Sequence, residues 1–213
     1  METKSTNPSE DLQAIREIME RSSKFLSLSG LSGIFAGVCA LFGAIIAWFF
    51  ILDPVLGTYD GSIPGMDGPA FSWTGFFIVV DALLVLGLAL AGAVFFSYRK
   101  AREAGQKLWT NTTRRLLLHL MIPLITGGIF SVILIFQDRT ELVPSVMLIF
   151  YGLSLVNAGK FTFSEIHYLG LIEIVLGIIA AVFTDYALFL WTTGFGLMHI
   201  VYGSVMYYRY ERT

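Results

Sequence analysis

From position 25 to position 52 the chain carries no charged residue, and that single stretch decides the solvent in which it folds. A helix rises about 1.5 Å per residue, so about 20 apolar residues cross the roughly 30 Å of hydrocarbon in a bilayer. Five more stretches meet the same test. They are 71–98, interrupted by Asp81; 116–136, containing His119; 142–159, with Pro144 near its start; 166–184, with His167 and Glu173; and 186–208, with His199. The runs are continuous, whereas barrel strands would alternate apolar and polar residues, so helices are expected. Only 14% of the 213 residues are charged, about half the share of an ordinary soluble domain. The expected fold class is all-α: a polytopic membrane protein whose six transmembrane helices form three in–out–in hairpins. A net charge of −2 gives no reason to expect nucleic acid as a partner. The single cysteine, Cys39, cannot form an internal disulfide and reads as a small packing residue.

Orientation follows from the basic residues. If the N-terminus is cytoplasmic, the inner segments hold all but one of the 14 lysines and arginines, and the outer loops hold only Arg139. The positive-inside rule then puts both termini in the cytoplasm. Residues 1–24 are polar and lack the form of a signal peptide. They read as a short cytoplasmic amphipathic helix, opened by Asn7-Pro8-Ser9-Glu10 in the pattern of an N-terminal cap. The six-helix domain is 25–213. A Gly- and Pro-rich outer loop over 53–70 spaces Asp53, Asp60 and Asp67 seven residues apart, unlike a calcium loop. The strongly basic segment 99–115 reads as an inner loop that sets topology and touches phospholipid headgroups.

Glycines recur at seven-residue spacing, as Gly30 and Gly37, Gly152 and Gly159, Gly170 and Gly177, Gly196 and Gly203. Such pairs mark one face of a helix. In lipid, where no hydrophobic force joins helices, small residues that let backbones approach are a principal source of attraction. Gly33, Gly37, Gly170, Gly177, Gly196 and Gly203 are therefore expected at helix–helix seams. The stripe Gly33, Gly37, Ala40, Ala44 and Ala47 on the first helix is also a candidate face for a homo-oligomer. The first and fifth helices match residue by residue, Gly30-Leu31, Ile34, Gly37 and Ala40 against Gly170-Leu171, Ile174, Gly177 and Ala180, so the hairpins read as repeats of one unit. With Gly170-Leu171-Ile172-Glu173-Ile174-Val175-Leu176-Gly177-Ile178 and later Gly194 through Gly203, the final hairpin resembles the short repeat of HdeD-like bacterial membrane proteins. That resemblance implies a six-span, non-enzymatic protein of the bacterial inner membrane, connected with acid stress. It supplies no catalytic residues.

Ionisable groups inside membrane helices are expensive and face the bundle interior or a water-filled cavity. Glu173 lies eight residues from Glu165, about 12 Å from the inner edge, and His199 lies ten from Arg209, about 15 Å. Both sit in the same setting, Gly170-x-x-Glu173-x-x-x-Gly177 and Gly196-x-x-His199-x-x-x-Gly203. A Glu173–His199 pair between the fifth and sixth helices is the expectation, with His119, Asn157, Lys160, His167 and Tyr202 as a supporting polar cluster. Asp81, about 25 Å from Tyr98 along its helix, belongs to the outer leaflet.

Three functions fit these residues. The pair is interhelical glue in a non-enzymatic membrane protein; or Glu173 and His199 are the proton-binding element of a small transporter or channel; or His119 and His199 serve a b-type haem or quinone redox protein. The two histidines lie at unequal depths, about 6 and 15 Å, so no cofactor is expected. No metal-ligand run, phosphate loop or nucleophile motif occurs in the sequence. The expected partners are the lipid bilayer and a second copy of the chain, with any small-molecule or ion substrate unspecified.

Overall fold

The computed structural model describes residues 27–52, 73–105, 107, 109–137 and 139–212. The expected N-terminal amphipathic helix and the outer loop over 53–70 lie outside the described residues. Six helices are long and apolar enough to cross a membrane, and no strand occurs among the described residues. The first, α1, runs Gly30–Ile46 and continues as a wider π-helical turn, Ala47–Leu52. α2 is Trp73–Glu103, α3 is Asn111–Phe136, α4 is Val143–Ala158 and α5 is Ser164–Val182. α6 is built from three pieces: Ala187–Trp191, a π-helical segment Thr192–Met198, and His199–Tyr210. Ser29 and Glu211 meet at one end of the bundle, which is called the terminal end below; the turns Thr140–Leu142 and Thr184–Tyr186 lie at the far end.

The basic segment 99–115 is largely helical rather than a loop. α2 persists to Glu103, with Lys100 and Arg102 in its last turn, where positive charge complements the helix dipole. It stops where Gly105 takes φ +63°, a backbone conformation that glycine adopts without strain. α3 begins six residues later, capped by Thr110, whose Oγ1 accepts from the Thr113 amide at 3.1 Å.

The helices pack in the order α2, α1, α6, α5, α4, α3, each touching the next. The two outer members, α2 and α3, make no extended contact with each other and are the least buried spans. Two close seams join the inner four in pairs. On α1 against α6, a Cβ at Gly37 would meet Gly196 O and Ile200, and one at Gly203 would meet Gly30 O and Ile34. On α4 against α5, a Cβ at Gly177 would meet Ile149 and Ser145 O, and one at Gly152 would meet Gly170 O and Ile174. Gly30, Ile34 and Gly37 thus take the places of Gly170, Ile174 and Gly177, while Gly196, Ile200 and Gly203 take those of Ser145, Ile149 and Gly152. The resemblance of the first and fifth helices in sequence is matched by the same contacts in space.

One expectation is corrected here. The small-residue stripe of α1 is not a free face for a second copy, because Gly33, Gly37, Ala40, Ala44 and Ala47 are all buried within the chain. Close backbone approach is what these residues permit, and α6 has already used it.

Candidate functional site

The π-helical segment of α6 gives the site its shape. Thr192 and Thr193 turn their hydroxyls onto the carbonyls of Leu188 and Phe189, at 2.7 and 2.9 Å. Side-chain hydrogen bonds of this kind loosen the backbone ladder, and Gly194 and Gly196 follow in the same segment. A widened turn results, a local form frequently found at functional sites. Immediately after it comes His199, 5% exposed. Its Nδ1 lies 3.0 Å from Gly194 O; a carbonyl only accepts, so Nδ1 carries the hydrogen. In the neutral ring Nε2 is then the acceptor, and the Tyr151 hydroxyl of α4 donates to it at 2.8 Å.

Glu173 projects from α5 into the same place. It is 0% exposed, and its Oε1 is 3.5 Å from His199 Nδ1. That nitrogen's hydrogen belongs to Gly194 O, and neither carboxyl oxygen of Glu173 has a hydrogen-bond partner. The expected pair therefore meets at ion-pair distance without a hydrogen bond between its members. Gly194 leaves the room: a Cβ there would collide with Glu173 Oε2 and Leu148. Two further buried polar atoms in α6, Trp191 Nε1 and Tyr202 Oη, also lack partners. Trp191, Phe195 and His199 form a ladder along one face, with ring centroids 5.0 and 5.9 Å apart.

The supporting cluster expected around this pair does not assemble. His119 lies on the exposed face of α3 and stacks on Phe161, centroids 4.9 Å apart. Among the described residues the extended contacts of α3 are with α4 and its adjoining turns, and its outer face lies away from α6. Lys160 is exposed in the turn Gly159–Phe161. His167 is half-buried, with its Cβ against Gly159, a packing role forced by the close approach of α4 and α5. Asn157 is half-buried on α4. Of the five, Tyr202 alone points a buried polar atom into the α4–α5–α6 interior. Asp81 is partly buried on α2, its carboxylate beside Gly43 of α1. His199 commits both ring nitrogens within the protein, and nothing brings His119 to it; the two do not form a paired-imidazole haem site. Among the described residues no group of three or more His, Cys, Asp or Glu comes together.

Sequence reasoning missed Tyr151 and Gly194. Tyr151 adjoins the seam residue Gly152, and a phenol deep in a spanning helix is a polar group in need of a partner. That was the available signal. Gly194 belongs to no seven-residue pair, and its role depends on a carboxyl from another helix.

Six helices long and apolar enough to cross a membrane define the class: an α-helical multi-pass membrane protein. Compared with protein-family models, curated proteins and solved structures, the chain gives no match.

Proposed function

We propose that this is a non-enzymatic multi-pass protein of the bacterial inner membrane, with both termini cytoplasmic, in which Glu173 binds and releases a proton as the working group of a small proton-coupled transporter or channel. One observation carries the reading: the Glu173 carboxyl is fully buried and neither of its oxygens is hydrogen-bonded. A carboxyl retained as glue would be expected to share hydrogen bonds across the helices, each worth about 0.6–2 kcal/mol. Here the nearest donor is spent on Gly194 O, so Glu173 adds burial cost without that return. An ionisable group kept in a membrane on such terms is a functional candidate by default. The resemblance of the last hairpin to HdeD-like proteins supports the inner-membrane location and a link to acid stress. The uneven distribution of lysine and arginine supports the orientation.

Infrared difference spectroscopy of the reconstituted protein tests the assignment. The expected result is a protonated-carboxyl C=O band that changes with pH and is absent from Glu173→Gln. In proteoliposomes the same variant is expected to keep its fold and lose proton flux. A purely structural pair is the second reading, favoured by the 3.5 Å approach of His199 Nδ1 to Oε1. It requires the opposite outcome: Glu173→Gln would lower stability, and the wild type would move no protons.

A further inference from the structure

Resting on the reading of Glu173 as a proton-binding group, the geometry points to a one-sided path: we propose that in this conformation Glu173 exchanges its proton with the terminal end of the bundle alone, through Tyr202, Tyr151 and His199, while an apolar cluster closes the far end, as one of the two alternating states that proton transport requires. The two sides of Glu173 differ in kind. Toward the far end it is capped by Leu148 and Ala180, both 0% exposed, and Ala187, 2% exposed, with Leu176, Leu190, Trp191 and Phe195 packed on them. Two hydroxyls on that side are turned back on nearby backbone carbonyls, Ser145 onto Leu142 O at 2.7 Å and Thr192 onto Leu188 O at 2.7 Å. Trp191 Nε1 has no partner there, but an indole N–H donates and never accepts, so it cannot pass a proton on.

Toward the terminal end a second cluster, Leu155, Ile166 and Leu169, is joined by two phenols, Tyr151 and Tyr202. A hydroxyl both donates and accepts, which is what a relay requires. Tyr151 already donates to His199 Nε2, and the buried Tyr202 hydroxyl has no partner within the protein. Two turns further along, Glu165 accepts from Tyr210 Oη and Arg209 Nη1, both at 2.9 Å, a wet mouth from which protons arrive. Around Glu173 the titratable groups facing it from the packed elements are His199 of α6 and, behind it, Tyr151 of α4. Lys160 and Asp185, in the turns bounding α5, are exposed at the bundle's two ends.

Tyr202 Oη has no hydrogen-bond partner within the protein, so one bridging water between it and Tyr151 completes the relay and gains and gives up one hydrogen. A proton taken up at Tyr202 Oη releases that hydroxyl's own hydrogen to the water, the water passes one to Tyr151, and Tyr151 passes its hydrogen to His199 Nε2. Nδ1 then releases its hydrogen to Glu173 Oε1, 3.5 Å away, instead of to Gly194 O at 3.0 Å. One proton enters, a carboxylate becomes a carboxylic acid, and no electron or heavier atom changes hands. His199 is left in its other tautomer, and the reverse passage restores it.

The test uses the full chain in vesicles sorted to one orientation, with pH stepped on one side at a time and the Glu173 infrared band followed in time. The band is expected to track the terminal side. Tyr202→Phe and Tyr151→Phe, which keep the rings, should slow its response by about 10²-fold, the scale of a lost proton-transfer group. Ser145→Ala, on the closed side, should leave the rate unchanged. A band that tracks the far side, or tyrosine variants as fast as the wild type, overturns the path and leaves the proton site standing. A band that moves with neither side overturns the proton site itself, and the path with it.

Discussion

Glu173 is tolerated at the centre of the bundle because the residue facing it has no side chain. Gly194 stands where any Cβ would meet Glu173 Oε2 and Leu148, so Gly194→Ala is expected to destabilise the protein by about 1–3 kcal/mol, the usual cost of overpacking. Residues in contact couple, and the loss should shrink when Glu173→Ala is added. Thermal unfolding in detergent measures both; an equal loss in the two backgrounds would mean that the new methyl meets something other than the carboxyl. The pairing of Glu173 with His199 was legible because each stands three residues after a glycine and four before the next, and because antiparallel helices bring equal depths together. The hydrogen bonds were not legible. That Nδ1 turns to Gly194 and Nε2 to Tyr151 depends on the width of one helical turn and on the neighbour that α4 supplies. His119 shows the converse: a histidine at a plausible depth carries no information about which way its helix faces.

Seven-residue glycine spacing fixes a helix face without naming what meets it. Two seams use such faces, α1 with α6 and α4 with α5, so the helices that touch most closely are not those within the first and last hairpins. Replacing a seam glycine pushes backbone against backbone, which cannot give way as a flexible side chain can. Gly203→Ala and Gly152→Ala are each expected to lower stability by about 1–3 kcal/mol. Gly87 of α2 and Gly128 of α3 provide the contrast, since a Cβ at either would meet nothing within 4 Å. Gly87→Ala and Gly128→Ala should be neutral or stabilising by up to about 1 kcal/mol, through the intrinsic preference of alanine for a helix. Unfolding temperatures that fall equally in all four variants would contradict the assignment of the seams. The π-helical turn in α6 was outside the reach of periodicity, because it arises where threonine hydroxyls and glycines loosen one turn while the flanking pieces keep the ordinary period.

At the scale of the whole molecule, one carboxylate fastens α1, α2 and α6 at the terminal end. Glu211, beyond the last turn of α6, accepts from the Gly30 amide at 2.6 Å, Ser29 Oγ at 3.0 Å and Lys100 Nζ at 3.1 Å. Lys100 also donates to Leu28 O at 2.7 Å, so α1, α2 and α6 share one polar knot. Glu211→Ala is expected to cost about 1–3 kcal/mol, because it leaves the partly buried Gly30 amide without its acceptor and the Lys100 ammonium without its counter-charge; an unchanged melting temperature would show that the knot does not fasten the three helices. Six spans were legible from apolar length alone, since a bilayer imposes that length on any helix crossing it. Their order around the bundle was not, because neighbours in sequence need not be neighbours in lipid.

That order has a consequence for how the chain is made. α1 packs its small-residue face on α6, and about 140 residues of synthesis separate the two. At cellular elongation rates that interval is on the order of ten seconds. Throughout it Gly30, Gly33 and Gly37 of α1 lack the partner that α6 supplies, although α2 already meets Gly43, while α4 and α5, consecutive in the chain, can seal at once. The α4–α5 seam can therefore close before the α1–α6 seam, which waits until α6 arrives.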